Sequence, residues 1–248
     1  MAGIVLITGS SRGIGAATAL LAAKRGWDVC VNYVSKADRA EQVVAQIRAT
    51  GRKAIAVQAD TANEADVMRM FEACDSGLGR ITALVNNAGV TGRAGRLETF
   101  DVAAMRRVLE VSVIGTLLCT QEAVKRMSTR QGGQGGAIVN VSSVAAQLGG
   151  ANQWIPYAAA KGAVNSITTG ASKEFAAEGI RVNAIMPGLI DTEIHTEAGV
   201  GDRLQKVIPM VPMGRIGTAE ECAQAILWLM SGEAAYMTGT NLLISGGR

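Results

Sequence analysis

ITGSSRGIGAATAL, residues 7 to 20, joins the end of a β-branched apolar run to an alanine-rich helical pattern through glycines at 9, 13 and 15. A glycine-rich turn between a strand and a helix lets backbone approach a phosphate lying on the helix N-terminus. The spacing G-x-x-x-G-x-G differs from the commoner G-x-G-x-x-G. No G-K-[ST] follows, so the stretch is not a P-loop. A tight turn without a ligand has the same local appearance, and the surrounding chain must decide between the two.

Working outward, short β-branched runs alternate with amphipathic helical stretches. Strands are expected over 4–8, 28–33, 53–59, 82–87, 137–143, 180–186 and 241–245, with helical patterns such as ADRAEQVVAQIRATG between the second and third. Gly51 is expected to cap that helix at its C-terminus. Thr61 and Glu64 have capping-box spacing ahead of ADVMRMFEAC. QGGQGG (131–136) reads as a flexible loop before the next strand. Strand and helix repeated this way predict an α/β fold: a single Rossmann-type doubly wound domain over residues 1–248, its seven-stranded parallel sheet covered by helices on both faces.

Composition narrows the classes. The 248 residues are 48% hydrophobic, enough for a large core, and 24 basic against 21 acidic residues leave a net charge of +3. Those charges are interspersed, which argues against nucleic acid as a partner. The uncharged stretch 131–160 is interrupted by Asn140, Ser142, Ser143, Gln147, Asn152, Gln153 and many glycines, so it is not a membrane span. Cys30, Cys74, Cys119 and Cys222 match neither a C-x-x-C pair nor a zinc spacing. They read as small buried hydrophobes, no metal site is expected, and a reducing cytoplasm suits them. The N-terminus runs directly into a strand with no charged leader, which argues against a signal peptide.

Charge near the second strand bears on the ligand. An Asp or Glu at the end of that strand would hold ribose hydroxyls and repel a 2′-phosphate. Here the strand ends in Asn32 and Tyr33, while Arg12 lies in the glycine loop and Ser35, Lys36 and Arg39 follow. This cluster of donors and positive charge predicts NADP(H) over NAD(H), unless Arg12 and Lys36 are merely solvated surface charges.

WIPYAAAKGAVNSI (154–167) places Tyr157 four residues ahead of Lys161 in a chain with only three tyrosines. Residues i and i+4 share a helix face, so the ammonium can lie near the phenol. A positive charge favours phenolate, and drawing a pKa of about 10 down to near neutrality takes roughly 4 kcal/mol. Ordinary helix packing is the alternative reading.

TGSSRGIG, NNAG (86–89), VSS (141–143), YAAAK (157–161) and RVNAIMPG (181–188) together resemble, in order and interval, the short-chain dehydrogenases/reductases. The resemblance covers essentially the whole chain and implies a carbonyl–alcohol oxidoreductase. In the family the tyrosine, here Tyr157, gives a proton to the carbonyl oxygen, and the lysine, here Lys161, also holds the nicotinamide ribose. A serine orients the substrate oxygen, and Ser143 is the better match, with Ser142 second. Ser143 lies fourteen residues before Tyr157, where many members have thirteen, and one extra loop residue accounts for that. Ser112 stands where members usually carry Asn, which puts the proton relay through the lysine in doubt. Its bland alternative is a helix hydroxyl bonded to an i−4 carbonyl. Gly9, Ser11, Arg12, Gly13, Ile14 and Gly15 would contact the dinucleotide phosphates. Asn32 and Tyr33 would lie beside the adenosine, and Asp60, with Thr61, at the adenine. Asn87, Ala88 and Gly89 would meet the ribose, and Pro187, Gly188, Ile190 and Thr192 the nicotinamide carboxamide.

The substrate pocket is expected from residues 91–98, the segment Gln147 to Trp154, and the loop from Leu189 to Arg215. Trp154 would form an apolar wall, and Arg93 and Arg96 are candidates to meet an acidic group. His195, the only histidine, falls in that loop and reads as a substrate-lining or exposed residue. A small carbonyl or alcohol is the expected substrate. A 3-oxoacyl carrier-protein reductase is one option, weakened because QGGQGG and AAEGI stand where such enzymes place basic residues. A sugar or polyol dehydrogenase is another, and a cofactor-binding sensor without catalysis is the alternative of a different class. The resemblance also implies a homotetramer joined through the helix after Tyr157 and the C-terminal strand.

Overall fold

A computed structural model describes residues 3–192 and 208–248. Seven parallel strands form one sheet in the order β3-β2-β1-β4-β5-β6-β7. They are β1 (Ile4–Ile7), β2 (Asp28–Tyr33), β3 (Ala54–Gln58), β4 (Ala83–Asn86), β5 (Gly136–Val141), β6 (Ile180–Pro187) and β7 (Asn241–Ile244). Each expected strand is present, with ends moved by a residue or two. The helices among the described residues are α1 (Gly13–Lys24), α2 (Ala37–Ala49), α3 (Glu64–Gly77), α4 (Val102–Leu109), α5 (Gly115–Met127), a four-residue α6 (Ala145–Leu148), α7 (Ile155–Phe175) and α8 (Ala219–Met230). None is long and apolar enough to cross a membrane.

Side chains alternate across the sheet because successive strand residues point to opposite faces. Val5, Ile7, Val29, Val31, Ala83 and Val85 join α1, α2 and α8 in one core cluster. Leu6, Cys30, Leu84 and Ile138 join α3 and α5 in the other. Both faces are therefore buried, which is why these strands read as unbroken apolar runs. All four cysteines are free and buried, as their spacing implied.

Local chemistry sets the helix ends. Gly51, at φ 79°, follows the α2 C-cap Thr50 rather than forming the cap itself. The expected Thr61–Glu64 box does not form: Asn63 caps α3 and accepts from the Asp66 amide at 3.0 Å, because the turn begins two residues later. A complete capping box does open α8, from Thr218 and Glu221. Between α4 and α5 the helix widens into a π segment, Glu110–Ile114.

The strand order reverses direction at β1 and β4, so the connections leaving these two strands diverge and open a crevice at the C-terminal edge of the sheet. Every segment that follows a strand end there contributes to the site.

Candidate active site

A cleft of about 910 Å³ runs along that edge, lined at one end by the glycine loop and at the other by Ser143, Tyr157 and Lys161. The loop is shaped by its glycines. Gly9 and Gly13 have φ of 61° and 54°, and a Cβ on Gly15 would lie 2.6 Å from Asn87 Nδ2 and 2.7 Å from the Gly9 carbonyl oxygen. At the start of α1, Arg12 makes no side-chain cap and no acid occupies the first turn. A helix N-terminus without either suits an anion.

Asn32 locks this loop to the sheet. Its Oδ1 accepts from the Gly9 amide at 2.9 Å and its Nδ2 donates to the Ala59 carbonyl at 3.0 Å. Asn32 lines the cleft, but its amide is engaged with backbone, so it positions the loop. From β4, Asn87 Nδ2 donates to the Thr8 and Gly9 carbonyls at 2.8 and 3.0 Å, and the Asn87 and Ala88 amides donate to the Thr8 hydroxyl. Ser11, Arg12, Gly13 and Ile14 line the cleft, with Tyr33, Ser35 and Lys36 beside them, whereas Arg39 is exposed on α2 outside the lining. Asp60, Thr61, Ala88 and Gly89 form the next part of the wall.

At the far end, α7 begins just after Trp154, with Pro156 in its first turn, where the missing N–H is no loss. That start brings Tyr157 and Lys161 to the cleft. Burial raises the Tyr157 phenol above its ordinary pKa, and a hydrogen bond with the Ser143 hydroxyl opposes the rise. The expected lowering by Lys161 is not the force at work here. Lys161 Nζ lies 5.5 Å from the phenol ring centroid and donates to the Val141 carbonyl at 2.6 Å. Burial lowers the Lys161 ammonium to about 8. Of the two serines, Ser143 faces the phenol, while Ser142 turns away and donates to the Lys161 carbonyl at 3.0 Å. Ser112 lies in the π segment with its hydroxyl buried and unbonded among the described residues, so the i−4 hydrogen bond does not form. A Cβ on Gly89 would sit 3.4 Å from Lys161 Nζ and 3.8 Å from Ser112 Oγ, which places these two groups around one small polar space.

Pro187 ends β6, and Gly188 is pressed against Ser245, where a Cβ would meet its Cα at 2.8 Å. Ile190 is buried, and Thr192 stands over the glycine loop, 3.5 Å from where a Gly13 Cβ would be. Trp154 and Arg93 line the cleft as expected, but Arg96 is paired with Glu98 on the exposed surface instead. His195 lies outside the described residues.

A family model described as enoyl-(acyl carrier protein) reductase matches residues 9–248. The uncharacterized oxidoreductase YgfF of Escherichia coli is 48% identical over 245 residues, covering 99% of each chain. A short-chain dehydrogenase from Burkholderia cenocepacia, solved with NADP, is 34% identical with TM-score 0.90 and covers 98% of this chain and 96% of its own. The chain belongs to the short-chain dehydrogenases/reductases.

As a member of that family it is an oxidoreductase acting on CH–OH or carbonyl groups. A 3-ketoacyl-(acyl-carrier-protein) reductase from Brucella melitensis, solved with NADH, is also similar, at 33% identity and TM-score 0.91 over 99% of this chain and 98% of that one. Sequence reasoning missed several parts of this dehydrogenase/reductase's cleft. Arg107 of α4 reaches the Asp60 carboxylate at 2.9 Å, a contact no spacing announced. The buried chain Asn86–Asn140–Thr168, with bonds of 2.9 Å each, crosses from β4 through β5 to α7. Val111 and the C-terminal Arg248 also reach the lining, each signalled only by tertiary packing.

Proposed function

We propose that this dehydrogenase/reductase interconverts a carbonyl and an alcohol with NADP(H), using Ser143, Tyr157 and Lys161. The observation that carries the reading is the meeting of Ser143 and Tyr157 hydroxyls beside buried Lys161, at the opposite end of the cleft from the glycine loop. Residues along the floor fit a dinucleotide: Gly9 and Gly13 present backbone to the cleft without a side chain, and Arg12, Ser35 and Lys36 supply donors where a 2′-phosphate would lie. The nicotinamide, when bound, supplies or takes the hydride.

The chain's own residues do the rest. The Ser143 hydroxyl orients the substrate oxygen. Tyr157 holds its proton at neutral pH, as its raised pKa requires, and gives it to that oxygen during reduction. Lys161, lowered only to about 8, keeps its proton at neutral pH and carries that charge beside the phenol and toward the ribose. A homotetramer, assembled through α7 and β7, is supported by exposed Leu243 on β7 and by small exposed residues such as Ala159 on α7. Four reduced, buried thiols support a cytoplasmic setting.

The test follows NADPH and NADH consumption against ketones, sugars, diketones and a 3-oxoacyl thioester. NADPH turnover that disappears in Tyr157→Phe is the expected result. Tighter binding of NADH than NADPH would overturn the cofactor assignment. Dinucleotide binding with no turnover across the panel would favour the sensor reading, to which the unbonded Ser112 hydroxyl lends its support.

A further inference from the structure

The catalytic end of the cleft is walled by two loops that a hydrogen bond holds together. The Gly95 amide donates to the Gln153 carbonyl at 2.9 Å, which ties the segment after β4 to the segment leading into α7 and Tyr157. Gly92 braces the same loop on its other side: its φ is 68°, a Cβ there would meet Val108 and Phe100 at 3.7 and 3.9 Å, and its carbonyl accepts from the Thr91 hydroxyl at 3.0 Å. Arg93 stands between these braces, exposed and lining the cleft, and among the described residues it meets no acid. The other lining cations are placed differently. Arg107 is paired with Asp60, Lys161 donates to the Val141 carbonyl, Arg12 and Lys36 belong to the glycine-loop end, and Arg248 lies where the cleft adjoins a second cavity of about 480 Å³. Asp60, the one acid among the described lining residues, follows β3, four strand positions from β5 and so about 19 Å away from the catalytic end. The side chains on that end are mostly apolar: Val144, Leu148, Trp154 and Leu189, with Leu148 about half exposed.

An apolar wall favours a substrate whose body is a carbon chain or ring, since a sugar would leave most of its hydroxyls without partners there. A guanidinium with no acid beside it favours an anion, and its planar fork matches a carboxylate. We propose that the substrate is an apolar oxo acid, or the hydroxy acid formed on its reduction, and that Arg93 binds its carboxylate while Ser143 and Tyr157 hold the reacting oxygen. The inference rests on the carbonyl reductase reading above and names the substrate class of that site. The bond from Gly95 to Gln153 fixes the loop beforehand, so its backbone need not be ordered when the acid binds. Because Arg93 is exposed, its charge is screened, and its effect belongs at the low end for a charged hydrogen bond.

The test is steady-state kinetics of the full chain with NADPH and a series of apolar oxo acids in which the ketone stands progressively farther from the carboxylate, each paired with its methyl ester. At the best-fitting length the acid is expected to exceed its ester about tenfold in kcat/KM. Arg93→Gln is expected to bring the pair within about twofold, chiefly by raising KM for the acid, and Arg93→Lys to recover part of the preference. Arg96→Gln, on the same loop but paired with Glu98 outside the lining, is expected to keep the wild-type ratio. Equal turnover of acids and esters by the wild type, a preference that survives in Arg93→Gln, or a ratio that falls as far in Arg96→Gln overturns the inference and leaves the reductase standing. Faster turnover of a neutral 3-oxoacyl thioester than of any acid does the same. If acids, esters and thioester all fail to consume NADPH or NADH, the reductase reading falls and the inference with it.

Discussion

Lys161 is held at a cost. It is 3% exposed, and its ammonium is lowered from 10.5 to about 8 by burial. Below about pH 8 both folded and unfolded chains carry the proton and the full burial penalty applies. Between about 8 and 10.5 the folded chain sheds the proton first, so stability rises with pH. Relative to Lys161→Met, the wild type is expected to gain about 2 kcal/mol between pH 7 and 9.5, measured by denaturant melts of both proteins. A pH-independent difference would mean that the lysine is not desolvated. Tyr157→Phe is expected to lower turnover by about 10²–10⁴-fold while leaving dinucleotide affinity within a few fold, measured by steady-state kinetics and titration. Ser112→Asn fills the polar space near Lys161 Nζ and is expected to change the pH dependence of turnover, read from a pH–rate profile. Helix periodicity made the Tyr157–Lys161 pair legible, since it places i and i+4 together, whereas Ser143 was indicated only by the resemblance to the family. It did not make legible where Lys161 Nζ points, because the Val141 carbonyl that captures it belongs to a strand twenty positions away.

At the level of elements, the glycine loop owes its position to side chains on two neighbouring strands. Asn32→Ala removes the acceptor for the Gly9 amide and the donor for the Ala59 carbonyl in a buried site. A loss of about 2 kcal/mol of stability and a roughly tenfold weaker dinucleotide affinity are expected, from chemical denaturation and titration respectively. The strands were readable because burial on both faces makes them continuous apolar runs. The α3 start was misread because Thr61 and Glu64 have box spacing while Asn63 lies nearer the first turn, and only the backbone path decides which side chain caps. The π segment at Glu110–Ile114 left no signal in the apolar period, which one extra residue in a turn hardly disturbs.

At the scale of the whole molecule, light scattering is expected to give about four times the chain mass of 25.7 kDa, and a monomer would sink the proposed assembly. The sheet order also has a consequence for synthesis. β1 is an interior strand, third in the sheet, and its partners enter far apart in the sequence: Val5 pairs with Val29 on one side and with Ala83 on the other. A nascent chain emerging at roughly 5–20 residues per second can dock β2 and β3 early, yet the second edge of β1 stays open for several seconds until β4 has left the ribosome. During that interval the most apolar strand of the protein offers unpaired backbone to any neighbouring chain.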